Sequence, residues 1–528
     1  MNLLKEPLND TTTEEIRSIL FDTVQNSLRH QHYDHVVELF KKCYAYTTGK
    51  GLDFYLKQFR QREDEALFKQ RVELTSHILP AVINNCDFLL NKIPRSYALH
   101  LNYVNTDETK QKNLKEAETH YFADKSVEEY FKKYNRWYDR SDPNAWLITE
   151  FNSTDGTELA QPYPFVVNSK QAINFEFING LLNWLIVEVE KDFTIYTPNQ
   201  NIKLEYICDV NSNPEEKDNY IFSRLVEDGQ IMEVDSEEYI RLNSKIYEIY
   251  MPEAHNIGWV QARRWGYNFD GVTYGETYVP FWWEAECYLT KIININSELD
   301  ITLARHNFPQ KLVYSPRCLA EGCNHGYLPD NTKCNHCGGT GLQPVHTTAQ
   351  DCLVIALPDN KEEMIDLNTL IAYIYPPIDG MQFTNEKITE LVKNCKEAIY
   401  NSDTYTKSEV AETATGLNIG MESIYDTLYP YAVNYAESWA FTVKTVAKIT
   451  TTDTGLIVTS NVEKDFKFKT KNELVAELNQ AKLAGADPSI IRALQNDIMF
   501  TMFSEKPSEF IKYQIKDKFN PFSGKTNE

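Results

Sequence analysis

The chain has 528 residues, of which 42% are hydrophobic and 12% aromatic, which implies a folded protein of about two to four domains rather than a disordered one. Its formal charge of -23 argues against a protein that grips DNA by its phosphates, since that binding rests on Lys and Arg displacing counterions; an acidic wall can nonetheless surround a polyanion without adhering to it. No basic region followed by an apolar stretch opens the chain, and the most apolar run, Leu181 to Val187, is far shorter than the roughly 20 residues of a membrane helix, so a soluble protein of a reducing cytoplasm is expected.

The first segment reads as helical to about residue 100. Ala66, Leu67, Val72, Leu74, Ile78, Leu79, Val82 and Ile83 form a broad apolar face, Pro80 marks a kink or break, and Pro94 ends the segment. A charged, aromatic helix is expected over 115 to 140, stopping before Asp142-Pro143. From Ala145 to Tyr278 short β-like runs alternate with Asn, Asp, Gly and Pro, which predicts a β-rich domain.

Pro280 then opens a helix to about Arg305; some 25 residues at about 1.5 Å each would span nearly 40 Å. Its first residues include Trp282-Trp283. Such a pair could stack a nucleobase, but bulky aromatics at a helix start more often anchor that helix in a core. A strand is expected at Cys352 to Leu357, a turn at Pro376 to Gly380, and a second helix from near Thr384, with Ile388, Leu391, Val392, Cys395 and Ile399 on one face. Residues 401 to 416 are polar and lack an apolar period, as a loop or switch segment does. A helix through Pro430, a short strand at Leu456 to Thr459 and two amphipathic helices over 471 to 484 and 487 to 503 follow; the tail Ser523 to Glu528 is expected to be disordered. Read from the residues, the fold class is α+β.

Between the two helices that bracket residues 309 to 382 lies the one pattern that dictates a specific chemistry, Cys318, Cys323, Cys334 and Cys337, spaced Cys-x4-Cys-x10-Cys-x2-Cys. Paired thiolates joined by a loop of about ten residues suit tetrahedral zinc with Zn–S distances near 2.3 Å, and four sulfurs fill the shell, which marks a structural Zn2+ and not a catalytic one. Disulfides, free cysteines or another metal are the alternatives. The remaining six cysteines, Cys43, Cys86, Cys208, Cys287, Cys352 and Cys395, are scattered singly, as in a reducing compartment, and weigh against disulfides. His325 and His336 lie inside the window and could each replace a cysteine, but an all-cysteine set already completes the tetrahedron. The glycines of Gly338-Gly339-Thr340-Gly341 permit a tight turn under a metal, and no Lys-Ser/Thr follows to make a phosphate loop.

No enzyme constellation emerges. Gly-x-Ser-x-Gly, His-Glu-x-x-His and Walker A patterns are missing, and carboxylate pairs such as Glu237-Glu238 and Glu362-Glu363 sit among other surface charges, so no catalytic or cofactor-binding residue is assigned. A zinc-dependent nucleic-acid-binding or packaging factor is an alternative, weakened because Lys333 is the only basic residue between Cys318 and Cys337. A co-chaperone is weaker still: Cys-x2-Cys-x-Gly-x-Gly recurs four times in the cysteine-rich domain of J-domain proteins, and this chain has at most one and a half such units.

The element order and several local segments resemble tailed-bacteriophage portal proteins. Asp53-Phe54-Tyr55-Leu56 with Glu63, Glu65, Phe68 and Arg71, followed by a helix ending at Ile93-Pro94, is similar to the early helical segment of one group of portals. Pro280 to Pro309 resembles the stem helix and its exit, and Glu412 to Gly416 followed by Leu428-Tyr429-Pro430 resembles the tunnel loop leading into a kinked inner helix. Lys469 to Leu474, Ala484-Gly485-Ala486 and Phe519 to Phe522 resemble the helical crown. The resemblance implies a wing over 1–280 (helical to 142, β-rich over 143–280), a stem helix over 281–308, a clip over 309–382, a second stem helix over 383–400, a tunnel loop over 401–416, a kinked inner helix and return over 417–464, and a crown and tail over 465–528.

It further implies a homododecameric ring at one capsid vertex, with double-stranded DNA passing through without sequence specificity. The partners would be the major capsid protein, the terminase large subunit and a head-tail adaptor or tail proteins, with no membrane. The protein would reside in the virion, after assembly in the host cytoplasm. The four-cysteine pattern is no general portal feature; it falls where the clip should be.

Overall fold

A computed structural model describes residues 12–56, 65–95, 100–104, 108–152, 160–209, 226–227, 230–231, 239–252, 254–306, 310–315, 317–343, 353–356, 371–374, 378–402, 414–451, 457–462, 471–503, 512–513, 516 and 519. These fall into two compact units that do not follow chain order: the first takes 1–43, 87–281 and 411–528, and the second takes 44–86 and 282–410. The expected β-rich stretch lies wholly within the first. Helix and sheet are mixed throughout, so the α+β class holds.

The first unit is built on a six-stranded antiparallel sheet. Its strands are β1 (Ala172–Ile178), β2 (Leu181–Val189), β3 (Asp192–Tyr196), β4 (Ile202–Asp209), β5 (Tyr239–Leu242) and β6 (Lys245–Tyr250), in spatial order β5-β6-β4-β3-β2-β1. The tight turns have local causes. Asn179-Gly180 links β1 to β2 with φ of 52° and 81°, and Asn243-Ser244 links β5 to β6 with φ of 47° and 59°, the left-handed pair that a two-residue hairpin turn requires.

Alternation along these strands gives the sheet two apolar faces. One packs Ile173, Ile186, Ile195 and Leu204 against helix α1 (Thr13–Gln25) through Ile16, Leu20 and Val24; α1 begins at a Thr12–Glu15 capping box. The other packs Leu185, Val187 and Tyr196 against a three-stranded sheet formed by Trp146–Phe151, Pro162–Val167 and Ala262–Arg264.

A third apolar cluster joins helices Glu108–Thr119 and Val127–Ser141 to Tyr435, Trp439, Val443, Val446 and Ala447 of the 38-residue helix Ala414–Thr451, around the buried Trp265. Pro430 lies inside that long helix, as expected. Polar ties cross the same cluster: Asn135 Nδ2 donates to the Tyr431 hydroxyl at 2.9 Å, and Arg136 and Arg140 both pair with the fully buried Asp87. The single helix expected over 115 to 140 is two helices, because Ala123 and Asp124 take positive φ and reverse the chain before Ser126 caps the second with Glu129. A strand at His100–Val104, where the helical segment was expected to end, pairs antiparallel with Ile457–Asn461.

The second unit contains helices Glu65–Thr75, Ile78–Cys86, Glu286–His306 and Ile378–Tyr400. Glu286–His306 packs against the other three. Pro80 sits in the first turn of Ile78–Cys86, where its missing N–H removes no helical bond, so the chain breaks before it, between Thr75 and Ile78, and not at it. Trp282 anchors the start of its helix, as the core reading of the Trp pair expects: it is fully buried and stacks on Tyr46 with ring centroids 5.6 Å apart, while the Tyr46 hydroxyl bonds Thr290 Oγ1 at 2.7 Å. The helix proper starts at Glu286, after a 3-10 turn over Trp283–Ala285. Its later partner begins at Ile378, about one and a half turns before the expected start near Thr384, so the Ile378–Gly380 part of the predicted turn is helical.

Between these two helices lies a three-stranded sheet whose centre is Gln310–Ser315, parallel to Leu353–Ala356 and antiparallel to Ile371–Ile374. A parallel pair cannot be joined by a hairpin and needs a long crossover; here the crossover carries the four cysteines. Residues 403–413 of the expected tunnel loop, and the tail from 520, lie outside the described residues. Among the described residues no helix is long and apolar enough to cross a membrane.

Candidate metal centre

The cysteine module, residues 317 to 343, is two knuckle turns held face to face. Arg317 bridges Leu342 and the Cys318 amide donates to the Gly341 carbonyl at 2.9 Å, which closes the module at its base. In the first knuckle Asn324 and Tyr327 exchange backbone bonds of 2.8 and 3.0 Å. Its carbonyl at Gly326 then accepts the Cys334 amide at 2.8 Å, which docks the second knuckle onto the first.

Glycine is required where the turns meet. Gly326 has φ +98°, and a Cβ there would lie 2.2 Å from the Gly339 carbonyl oxygen; Gly341, at φ +73°, would bring one to 3.0 Å from the His325 backbone. The first of these positions is a residue that cysteine spacing alone does not flag. Its signal is the repeated geometry of the two knuckles, a glycine three residues after Cys323 and four after Cys337.

This packing brings together the four predicted ligand residues. The sulfurs of Cys318, Cys323, Cys334 and Cys337 all lie within 4.8 Å of one another, the one such ligand group among the described residues. Cys323 Sγ and Cys337 Sγ are 3.7 Å apart. That separation is far beyond the roughly 2.05 Å of a disulfide and matches the edge of about 3.8 Å that four sulfurs form around a shared zinc at about 2.3 Å. Cys334 and Cys337 are buried, Cys318 and Cys323 half-buried.

The donor set fits a metal chemically as well. Gly341 N–H points at Cys337 Sγ from 3.3 Å, an orientation that favours a thiolate. Burial works against ionisation of Cys337, but the Gly341 and Gly339 amides and the neighbouring thiols of Cys323 and Cys334 outweigh it and hold the group at about 6. Cys323 moves the other way: burial first, then the adjacent sulfurs, push it up to about 12 despite the Gly326 amide. Four thiols so close cannot all ionise without a cation, and a divalent ion would replace their protons. His336 is beside the cluster and outside the ligand set, with Nδ1 3.6 Å from Cys318 Sγ, where it can orient a ligand sulfur. His325 takes a positive φ of 48° in the first knuckle and is exposed, a turn residue and no ligand.

Among the described residues the module has little core of its own. Between 317 and 343 the only buried residues are Gly326, Cys334 and Cys337, while Leu319 is 80% exposed and Tyr327 46%. No apolar side chain forms a core there, so the fold of this stretch rests on its backbone bonds and on whatever joins the four sulfurs.

No protein-family model matches this chain, and no curated protein is significantly similar to it in sequence.

Proposed function

We propose that this chain is the portal protein of a tailed bacteriophage: twelve copies form a ring at one capsid vertex, through which double-stranded DNA enters during packaging and leaves during ejection. The observation that carries the reading is the placement of the cysteine module. It is inserted into a small sheet between two helices of 21 and 23 residues that pack on each other, the arrangement of a clip between two stem helices. The 38-residue helix with an internal proline has the length and the Pro position expected of a kinked inner helix.

In this reading the chain carries no catalytic residue and works as a conduit. An excess of 23 negative charges lets a ring repel phosphate, so that duplex slides with few sticking points. The four cysteines hold a structural zinc, which shapes the small lobe where the terminase and later the head-tail adaptor dock. A lobe with almost no core can be held by metal binding of roughly 10–16 kcal/mol, the range of zinc-finger peptides.

Negative-stain electron microscopy of the purified chain tests this directly. Rings with a central hole are expected; a uniform monomer under all assembly conditions would count against the portal.

A further inference from the structure

The first unit contains a cleft that the portal reading does not use. Its volume is about 1180 Å³, and it opens between the two sheets of the sandwich at the end where their shared apolar core stops. The stopping point is visible strand by strand. Along Trp146–Phe151 the inward series runs from buried Ile148 to Glu150; along β3 it runs outward from Tyr196 through Thr194 to Asp192; and Glu150 faces Tyr163 across the strand pair. The cleft floor is the Tyr196 hydroxyl donating to Glu150 Oε1 at 2.5 Å.

The charges in the cleft are committed, except one. Lys203 pairs with Glu205 at 2.5 Å and Asp192 at 3.4 Å. His255 is held neutral, its pKa lowered to about 4 by burial, and its ring lies edge-on to Phe151. Glu150 has no cationic partner among the described residues, and its burial raises its carboxyl above the usual carboxylate range despite the bonds from Tyr196 and the Phe151 amide. A half-buried carboxylate whose donors, the Tyr196 hydroxyl and the Phe151 amide, are both neutral gains from an incoming cation. Tyr163, 40% exposed, Phe165 and Tyr250, 53% exposed, supply aromatic faces on which such a cation can rest.

The neighbouring sheet edge restricts how a ligand can be read. In the edge strand Pro162–Val167, Gln161 accepts the Asn152 amide, so the odd-numbered residues bond the inner strand and Pro162 and Pro164 face outward. Their missing N–H groups blunt that edge against an added strand, which leaves side chains as the means of recognition. The volume exceeds the roughly 300–1,000 Å³ typical of small-molecule sites, room for a length of chain and not a lone ion.

We propose that this cleft binds an arginine or lysine side chain presented by a basic peptide segment of a partner protein, with Glu150 as the anion and Tyr163 and Tyr250 as the walls. The excess negative charge of the chain suits a basic partner. The inference uses residues of the first unit alone and stands whether or not the chain forms rings.

The test is fluorescence anisotropy with the full-length protein and a labelled Gly/Ser peptide carrying two arginines, beside the same peptide carrying two glutamates. Saturable binding of the arginine peptide alone is expected. Glu150→Gln should weaken it by about tenfold or more, because one half of a desolvated charge pair is lost. Glu14→Gln, an equal charge change at an exposed position of α1, should leave it within about twofold, as for any screened surface charge. Tyr163→Ala should weaken binding several-fold and serves as the decisive variant if Glu150→Gln fails to fold. The proposal is overturned by no saturable binding, by equal binding of the glutamate peptide, by an unchanged Glu150→Gln or, where that variant does not fold, an unchanged Tyr163→Ala, or by equal losses in Glu150→Gln and Glu14→Gln. Displacement by free spermidine at the peptide's own concentration would also overturn it, in favour of a small polyamine site.

Discussion

The β-sandwich of the first unit and the cysteine module of the second bury themselves by opposite means. In the sandwich, Ile173, Leu185, Ile186, Ile195, Ile202 and Leu204 are all fully buried, on one face of the six-stranded sheet or the other. Each contributes about 1.5–3 kcal/mol of apolar burial, so no single side chain decides the fold. The cysteine module buries two cysteines and one glycine, and in the proposed zinc reading its stability is concentrated in a single four-sulfur point. A distributed core tolerates change and a point does not. If the proposed zinc is the staple, one chain carries a robust scaffold beside a small lobe whose folding depends on metal supply.

The largest expected effect separates the two directly. Cys334→Ser should abolish stoichiometric zinc, measured by plasma mass spectrometry, and unfold 317 to 343, with loss of ring maturation or adaptor docking and an unchanged first unit. A variant that assembles and docks normally would end the idea of a zinc staple. The converse substitution is Leu185→Ala in the sandwich, where a cavity should cost about 2–5 kcal/mol in urea unfolding of the first unit. Zinc content should not change; a parallel loss of zinc would mean that the two regions fold as one.

A smaller effect is tied to pH. Asp142 is buried and accepts Ser169 N–H at 2.8 Å and the Ser169 hydroxyl, yet burial outweighs these donors and raises its carboxyl to about 6. The folded state therefore holds this proton more tightly than an unfolded carboxyl near 3.9, so the contribution of Asp142 to the stability of the first unit is most favourable below about pH 4, falls between about 4 and 6, and levels off above, by up to roughly 3 kcal/mol. Asp142→Asn should remove that decline from urea midpoints measured across the range, and parallel curves for the two proteins would refute the assignment. The smallest effect belongs to His336→Ala, which should weaken zinc about tenfold in chelator competition by removing a group that orients Cys318, with no change in the sandwich.

Much of this was legible in the residues. Period-2 runs and Asn-Gly punctuation mark the sandwich strands, apolar periodicity marks the helices around the module, and the spacing of four cysteines names the candidate metal ligands before any geometry is known. What escaped was long-range or unpunctuated. The pairing of His100–Val104 with Ile457–Asn461 joins segments far apart in the chain, and no local pattern announces it. The turn at Ala123-Asp124 carries positive φ without a glycine, so one helix became two. Residues 44 to 86 join the second unit through burial such as that of Tyr46 against Trp282, a fact of packing rather than of sequence period. Glu150 reads as one polar residue in an alternating strand; only the packing of the two sheets, which sets it beside Tyr196, shows where the core ends.

The central claim is that 317 to 343 is held by metal while the first unit is held by its core. Hydrogen exchange of the purified protein before and after zinc is stripped by a chelator tests it most directly. Protection should vanish across 317 to 343 and stay unchanged in the sandwich strands. Protection that survives in the module after the metal is gone, or a protein purified with no zinc and a module already protected, would contradict it.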